Sequence, residues 1–394
     1  MMKKLVGGLL ICPLLSSSIA LAAETITPAI ATSVPTATVT AAATPTTTTP
    51  NSILPKIKMD WRFDLIKEQN QASTRGVGLK ETEKANDEGK DIRFTIPYIR
   101  FDLSGKFNDY TSYRLKFRLN KSTGLSIPNV DDTGEALDYA YVDQKITKDL
   151  SVRIGKQVLY HGGWESFPSS RDSYSYSLAS FSAYRTGVGA FYKLFDKQKF
   201  NLQVTNNGHG EYNQQRLLYG GGYEGYFFDG LVAPIISYHV DPRTAQKSGG
   251  STPGKDRTVL DSDWIATKTE YFAIGNRSNF MNFTLDIDYL LNRFGSQDKS
   301  KNDSDDSSYV STLAYQYESF RPQVKFAYSR DEENGVKYAN RYDWHTVLEF
   351  SPDPKADLRY HVGWSGQKFK YLVGSNKGIT QLNQSYILGM AGSF

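Results

Sequence analysis

The stretch Gln384-Ser385-Tyr386-Ile387-Leu388-Gly389-Met390-Ala391-Gly392-Ser393-Phe394 decides how the chain is read. Counted back by twos from Phe394, residues Gly392, Met390, Leu388 and Tyr386 share one face, and Ser393, Ala391, Gly389 and Ser385 share the other. Successive side chains of a strand point to opposite faces, so this spacing predicts a β-strand with one apolar face. Chain ends usually fray into water. A large aromatic in phase with the apolar face instead predicts a paired end.

The same period of two returns across the chain. Ile57, Met59, Trp61, Phe63 and Leu65 alternate with Lys56, Lys58, Asp60, Arg62 and Asp64. Tyr113-Leu115-Phe117-Leu119 alternate with Arg114, Lys116 and Arg118, and Met281 to Tyr289 alternate with Asn282, Thr284, Asp286 and Asp288. Tyr342 to Phe350 and Leu358 to Trp364 repeat the pattern. At Pro97 the apolar phase slips from Ile92-Phe94-Ile96 to Ile99-Phe101-Leu103, which predicts a bulge. With weaker strands in the gaps the count reaches about sixteen, and an even number returns both chain ends to one side.

Composition narrows the class. Aromatic residues make up 13% of the 394, Tyr alone contributes 26, and the mean hydropathy is −0.48. Past the first residues, no window approaches the roughly 18 consecutive apolar residues of a spanning helix. Hydrocarbon offers no partner to unpaired backbone groups, so a chain that spans with strands must close them into a barrel. The fold expected is therefore all-β, a transmembrane antiparallel β-barrel over residues 56–394. Short connections such as 105–109, 147–148, 195–198 and 229–230 alternate with long polar ones such as 67–90, 121–135, 160–182 and 241–261. Periplasmic turns opposite extracellular loops have this asymmetry.

At the start, Met1-Met2-Lys3-Lys4, the apolar run Leu5 to Leu15 and Ala20-Leu21-Ala22 read as a secretory signal peptide over 1–23. Its removal takes Cys12, the single cysteine, and with it any disulfide or thiolate metal ligand. Residues 24–55, rich in Thr, Ala and Pro, read as a flexible periplasmic segment. The whole-chain charge of +4 falls by the two lysines of the leader, which gives no electrostatic case for nucleic acid.

A barrel of about sixteen strands leaves an aqueous channel, so its inward residues are the functional surface. With apolar faces outward, the pore-lining basic residues are Lys58, Arg62, Arg114, Lys116, Arg118, Arg153 and Arg359. The pore-lining acidic residues are Asp286, Asp288, Asp343 and Glu349. A basic wall facing an acidic one sets up a transverse field; the bland reading is that these charges hydrate the pore and pair across strands. Within 160–182, Trp164 and Phe167 could anchor the connection inside the lumen, which makes Glu165, Arg171 and Asp172 the constriction candidates. An ordinary extracellular loop is the alternative.

Two resemblances add to this. The terminal strand ending in Phe394 resembles that of Gram-negative outer-membrane barrels, which implies recognition by the barrel assembly machinery. The run Ala136 to Val142, then Leu150-Ser151-Val152-Arg153-Ile154-Gly155-Lys156-Gln157 and on to Gly162-Gly163-Trp164-Glu165, resembles the phosphate-selective porin (porin O/P) family. That resemblance implies a sixteen-stranded homotrimeric channel with its third loop folded inward. For Arg114, Lys116, Arg118 and Arg153 it implies the place of an arginine ladder.

The functional expectation is an outer-membrane porin for passive diffusion of ions and small hydrophilic solutes, with a possible preference for anions or phosphate. The alternative is a structural or adhesive barrel with a blocked lumen and partner-binding loops. Outer-membrane lipids and lipopolysaccharide surround either. No enzyme, cofactor or metal is expected: Glu211 beside His209 sits in a Gly-rich turn, and Asp303, Asp305 and Asp306 lack the Gly and Glu of a calcium loop.

Overall fold

The computed structural model describes residues 55–73, 91–119, 136–160, 162–167, 171–180, 184–206, 217–246, 264–296, 303–353, 355–373 and 378–394. They form sixteen strands. The first eight are β1 (Lys56–Ser73), β2 (Asp91–Lys106), β3 (Thr111–Arg118), β4 (Leu137–Lys145), β5 (Leu150–Val158), β6 (Tyr184–Leu194), β7 (Gln198–Asn206) and β8 (Leu217–Gly225). The rest are β9 (Ala233–Gln246), β10 (Trp264–Phe280), β11 (Phe283–Ser296), β12 (Ser304–Tyr315), β13 (Phe320–Glu333), β14 (Val336–Phe350), β15 (Leu358–Tyr371) and β16 (Thr380–Ser393). The signal peptide and, apart from Pro55, the Thr/Ala/Pro-rich segment expected over 1–55, and most of the long connections, lie outside the described residues.

Each strand pairs with its sequence neighbours in antiparallel fashion, and β16 returns to β1, so the sheet closes on itself. The seam runs from Asp60 opposite Ser393 to Ser73 opposite Thr380. Phe394 completes it through backbone bonds with Met59 of 2.8 and 3.1 Å. Closure leaves no edge strand, which satisfies the backbone in hydrocarbon. The slip at Pro97 is a true bulge. Arg62 faces Tyr98 while Asp64 faces Thr95, so Ile96 and Pro97 are the irregular residues.

Alternation becomes two surfaces. Ile57, Phe94, Ile154, Leu202, Ile287, Phe326, Val362 and Leu388 stand exposed on the outside, where lipid would cover them, while Asp64, Arg100, His239, Asp288, Lys325 and His361 are buried inside. Two aromatic belts bound the outer apolar band. Tyr289, Tyr309, Tyr328 and Tyr342 lie directly opposite one another across β11 to β14, with ring centroids 4.9 Å apart in the first pair and 5.2 Å in the last. Toward the rim that carries both chain ends, Phe283 pairs with Tyr315 and Phe320 with Phe350. Belts of this kind mark the two membrane interfaces.

The wall is uneven in height. Strands β3 to β8 have 8 to 11 residues, whereas β9 to β16 have 12 to 17. The taller wall extends past the tyrosine belt on the rim away from the chain ends. Its one tight turn among the described residues is Asn334-Gly335, where both residues have positive φ.

Candidate pore constriction

The described part of the third connection, 162–167 and 171–180, lies inside the barrel, bonded to its inner wall. Tyr160 begins the path by donating its N–H to Gln203 on β7 at 2.8 Å. Gly162 donates to the Ser237 hydroxyl and the Trp164 indole to the Ala233 carbonyl, both on β9. A single 3-10 turn, Trp164–Ser166, then aims two backbone N–H groups at one carboxylate. Trp164 and Glu165 donate to the two oxygens of Asp288 on β11 at 2.9 and 2.8 Å. The loose N–H groups at the start of a helical turn are natural donors to an anion, and Asp288 fills that role.

Glu165 is the second fastening. It accepts from Lys325 on β13 at 2.5 Å and from the Ser177 backbone at 2.8 Å, with both charged side chains almost fully buried. Ala179 then packs with Ala273, Leu290, Val310 and Ala327, small and apolar inward residues of β10 to β13. Those positions let the loop lie flat on the wall.

The far tip reaches β14, β15 and β1. Tyr174 sits edge-on to His345 and His361 and donates to Glu349, with the Arg62 guanidinium 4.2 Å above its ring. Arg62 also donates to the Ser173 carbonyl at 3.1 Å and pairs with Asp64 at 2.7 Å. Arg171 pairs with Asp357 at 2.7 Å and lies 3.7 Å from Asp60, while Arg359 bonds both the Arg171 carbonyl and Asp172. Asp357 lies in the turn before β15. Burial pulls its carboxyl upward, but hydrogen bonds from Ser393 and Arg171, with Lys58 nearby, hold it below the ordinary value of 3.8.

Strands β2 to β5 carry a row of cations, each turned by an acid one or two strands away. Arg114 pairs with Asp102 at 2.8 Å, Arg118 with Asp138 at 2.6 Å and Arg153 with Asp143 at 2.7 Å. Arg100 shares Asp138 at 2.9 Å, and Lys116 lies 3.6 and 3.7 Å from Asp102 and Asp60. Tyrosines support the guanidinium planes: Tyr98 under Arg100, Tyr139 under Arg114, Tyr184 under Arg118 and Tyr141 under Arg153, at 3.9 to 5.4 Å. Arg114 and Arg118, each held at one edge by a carboxylate and on one face by a ring, keep part of the guanidinium surface for a passing solute, whereas Arg153 also meets the Phe191 ring at 4.8 Å and the Tyr160 hydroxyl at 3.4 Å, and Arg100 is buried.

Of the sequence-derived acidic set, Asp286 pairs with Arg277 at 2.7 Å, Asp343 with Arg341 at 2.8 Å, and Glu349 with Arg321 at 3.0 Å. Asp288, Asp343 and Glu349 are buried, the first and last behind the loop they anchor. Lys58 stands half-exposed at the rim, 3.1 Å from Asp60. The structure therefore gathers Arg62, Arg359, Arg171, Asp172, Asp288, Glu349 and Glu165 at the loop, and Arg114, Lys116, Arg118 and Arg153 in the cation row. Sequence reasoning passed over Arg100, Asp102, Asp138, Asp143, Lys325, Tyr174 and His345. The signal for the four ladder residues was their inward phase, and only strand register could show which acid meets which base. Beside the loop, Trp164, Glu165, Arg277, Asp286, Arg321 and Lys325 border a cavity of about 270 Å³.

Residues 71–227, which span β2 to β8 and the inward loop, match the model of the phosphate-selective porin O and P family. No curated protein matches the chain by sequence. Among solved structures, the outer-membrane channel DcaP of Acinetobacter baumannii superposes with a TM-score of 0.57 at 10% identity, over 85% of this chain and 98% of that one. OmpT, an outer-membrane protein of Vibrio cholerae, gives 0.53 at 13% over 86% and 98%. An anion-selective porin from Comamonas acidovorans gives 0.52 at 11% over 86% and 100%. At such identities the likeness is one of fold. The chain is thus an outer-membrane β-barrel of the porin fold, resembling over residues 71–227 the phosphate-selective porin O and P family.

Proposed function

We propose that the protein is a passive channel in which small hydrophilic solutes and ions cross between the inward loop and the cation row of β2 to β5, with a modest preference for anions. One observation carries this reading: the loop is fastened to β9, β11 to β15 and β1, while the ordered guanidinium groups stand on β2 to β5. Lys58, Arg62 and Arg359 contribute at the rim and beside the loop tip. Arg171 and Asp172 border the constriction, and Glu165 sets the loop's height.

The size of the preference follows from the pairing. Arg100, Arg114, Lys116, Arg118 and Arg153 face Asp60, Asp102, Asp138 and Asp143, so the row has little charge to spare. One uncompensated charge about 5 Å away in water contributes roughly 0.8 kcal/mol, or about fourfold in local ion occupancy. Selection for phosphate would come from the exposed guanidinium surface of Arg114 and Arg118, which suits its oxygens, more than from bulk field.

The same reading removes residues 1–23 as a signal peptide, leaves 24–55 in the periplasm, gives the terminal strand to the assembly machinery and assembles three copies in a lipopolysaccharide-bearing membrane. Nothing in the site calls for catalysis. Liposomes carrying the purified protein should swell in small sugars and in phosphate salts. Failure to swell in either would favour the barrel with a blocked lumen.

A further inference from the structure

On the lipid-facing side of the taller wall, the strands carry cations just past the tyrosine belt. Outward phase on β13 runs Val324, Phe326, Tyr328, Arg330; on β14 it runs Trp344, Tyr342, Asn340; on β15 it runs Val362, Trp364, Gly366, Lys368, Lys370. Register sets Lys368 opposite Tyr342, at the height of the belt. Arg330, Asn340 and Lys370 then form the next outward row, each directly opposite the next. Neighbouring strands lie about 4.8 Å apart and successive outward residues about 6.6 Å, so three cations and an amide occupy a patch roughly 10 Å across.

These cations are not consumed by carboxylates. Arg330 donates its Nε to the Tyr328 hydroxyl at 3.2 Å, and that hydroxyl donates in turn to Asn340. This holds the guanidinium at its Nε, and its two terminal nitrogens enter no ion pair among the described residues. Lys368 and Lys370 are exposed and enter no ion pair among the described residues. Nearby, Arg293 is taken by Asp305 and Lys268 by Glu270, and Glu332 adds an acid beyond Arg330, so the uncompensated charge centres on the triad. Directly below, Trp344 and Trp364 meet with ring centroids 5.7 Å apart, and Phe326 and Leu348 continue an exposed apolar surface.

We propose that Arg330, Lys368 and Lys370, with Asn340, bind the phosphorylated sugar headgroup of an outer-leaflet glycolipid, whose acyl chains lie on the Trp344–Trp364 shelf. Charge complementarity and height select this occupant. The patch faces lipid and not the lumen, stands at the level where headgroups begin, and joins cations above to apolar rings below. A soluble partner would meet only the upper half of it. The inference rests on the outer-membrane placement and is independent of whether the lumen conducts.

The test is native mass spectrometry of the purified full protein in detergent, titrated with bisphosphorylated lipid A or with its dephosphorylated form. The wild type should retain the phosphorylated lipid. The combined variant Arg330→Gln, Lys368→Gln, Lys370→Gln should hold it about a hundredfold more weakly, at roughly a fivefold loss per interfacial cation. Both should bind the dephosphorylated lipid equally poorly. The variant's folded barrel, followed by heat-modifiable gel mobility, and its conductance should be unchanged. Equal retention by wild type and variant, or no discrimination between the two lipids by the wild type, overturns the proposal. A wild type that retains the phosphorylated lipid yet shows no conductance would instead count against the channel reading alone.

Discussion

At the scale of single residues, the inner wall is governed by which carboxylate holds which base. Asp102 is buried and takes up the charge of Arg114, its neighbour on β3. Asp102→Asn keeps the shape and a hydrogen-bond acceptor but leaves Arg114 uncompensated and Lys116 with Asp60 alone. The reversal potential in a salt gradient should move toward anions by the equivalent of a few-fold in permeability ratio, and Arg114→Gln should move it the other way. No change in either would remove the row from ion selection. Gly389 shows the opposite constraint. It lies inward on β16, and a Cβ there would come within 2.5 Å of Asp64, 2.6 Å of His361 and 2.3 Å of the Phe63 carbonyl. The small inward residues of the last strand therefore make room for the Asp64–His361 contact at 2.8 Å across the seam. Gly389→Val should cost about 1–3 kcal/mol, as overpacking does, and lower the urea midpoint of the folded barrel. An unchanged midpoint would mean the seam can shift.

At the scale of the element, the inward loop behaves as a strap with separate fastenings. The Lys325–Glu165 pair is buried on both sides, so removing one partner strands the other charge and costs about 3–5 kcal/mol. Lys325→Met should free the loop near Glu165 and appear as a larger, noisier conductance, with the barrel still folded. The outer fastening depends on pH. Asp357 has its carboxyl held below the ordinary value of 3.8, so its contribution is complete above that value and is lost as pH falls through the lowered one. Wild-type current noise should rise only in acid below pH 3.8, whereas Asp357→Asn should show that noise at neutral pH. Noise independent of pH in both proteins would show that Arg171 is held by Asp60 and Asp172 alone.

The strap also marks how far a sequence can be read. Its position was legible in outline, because Trp164 is costly to leave in water and is buried against the wall, whereas Phe167, expected as a second anchor, stays exposed. Its partners were not: Asp288 is 124 residues from Trp164, and Lys325 is 160 from Glu165. Alternation showed that Asp288 points inward, and an inward carboxylate reads as pore lining until the loop's N–H groups are seen upon it. The strands themselves were legible from period two, with β16 and β1 the clearest. Their full lengths were not, since Trp264 to Phe280 continues past the apolar run into polar residues whose pairing depends on neighbours.

At the scale of the whole molecule, closure, belts and strap combine into one arrangement. The ring of sixteen strands supplies a lumen, the aromatic belts set its height in the membrane, and the uneven wall gives the outer surface a low side and a tall, cation-bearing side. The strap divides the interior into a fastened half and a half lined by ordered guanidinium groups. On the proposed function, the second half stays open to water and ions. That openness is tested most directly by recording purified protein in a planar bilayer under a potassium chloride gradient. Stepwise conductance with a reversal potential mildly on the anion side is expected; a bilayer that takes up folded protein and stays electrically silent would show the lumen to be closed.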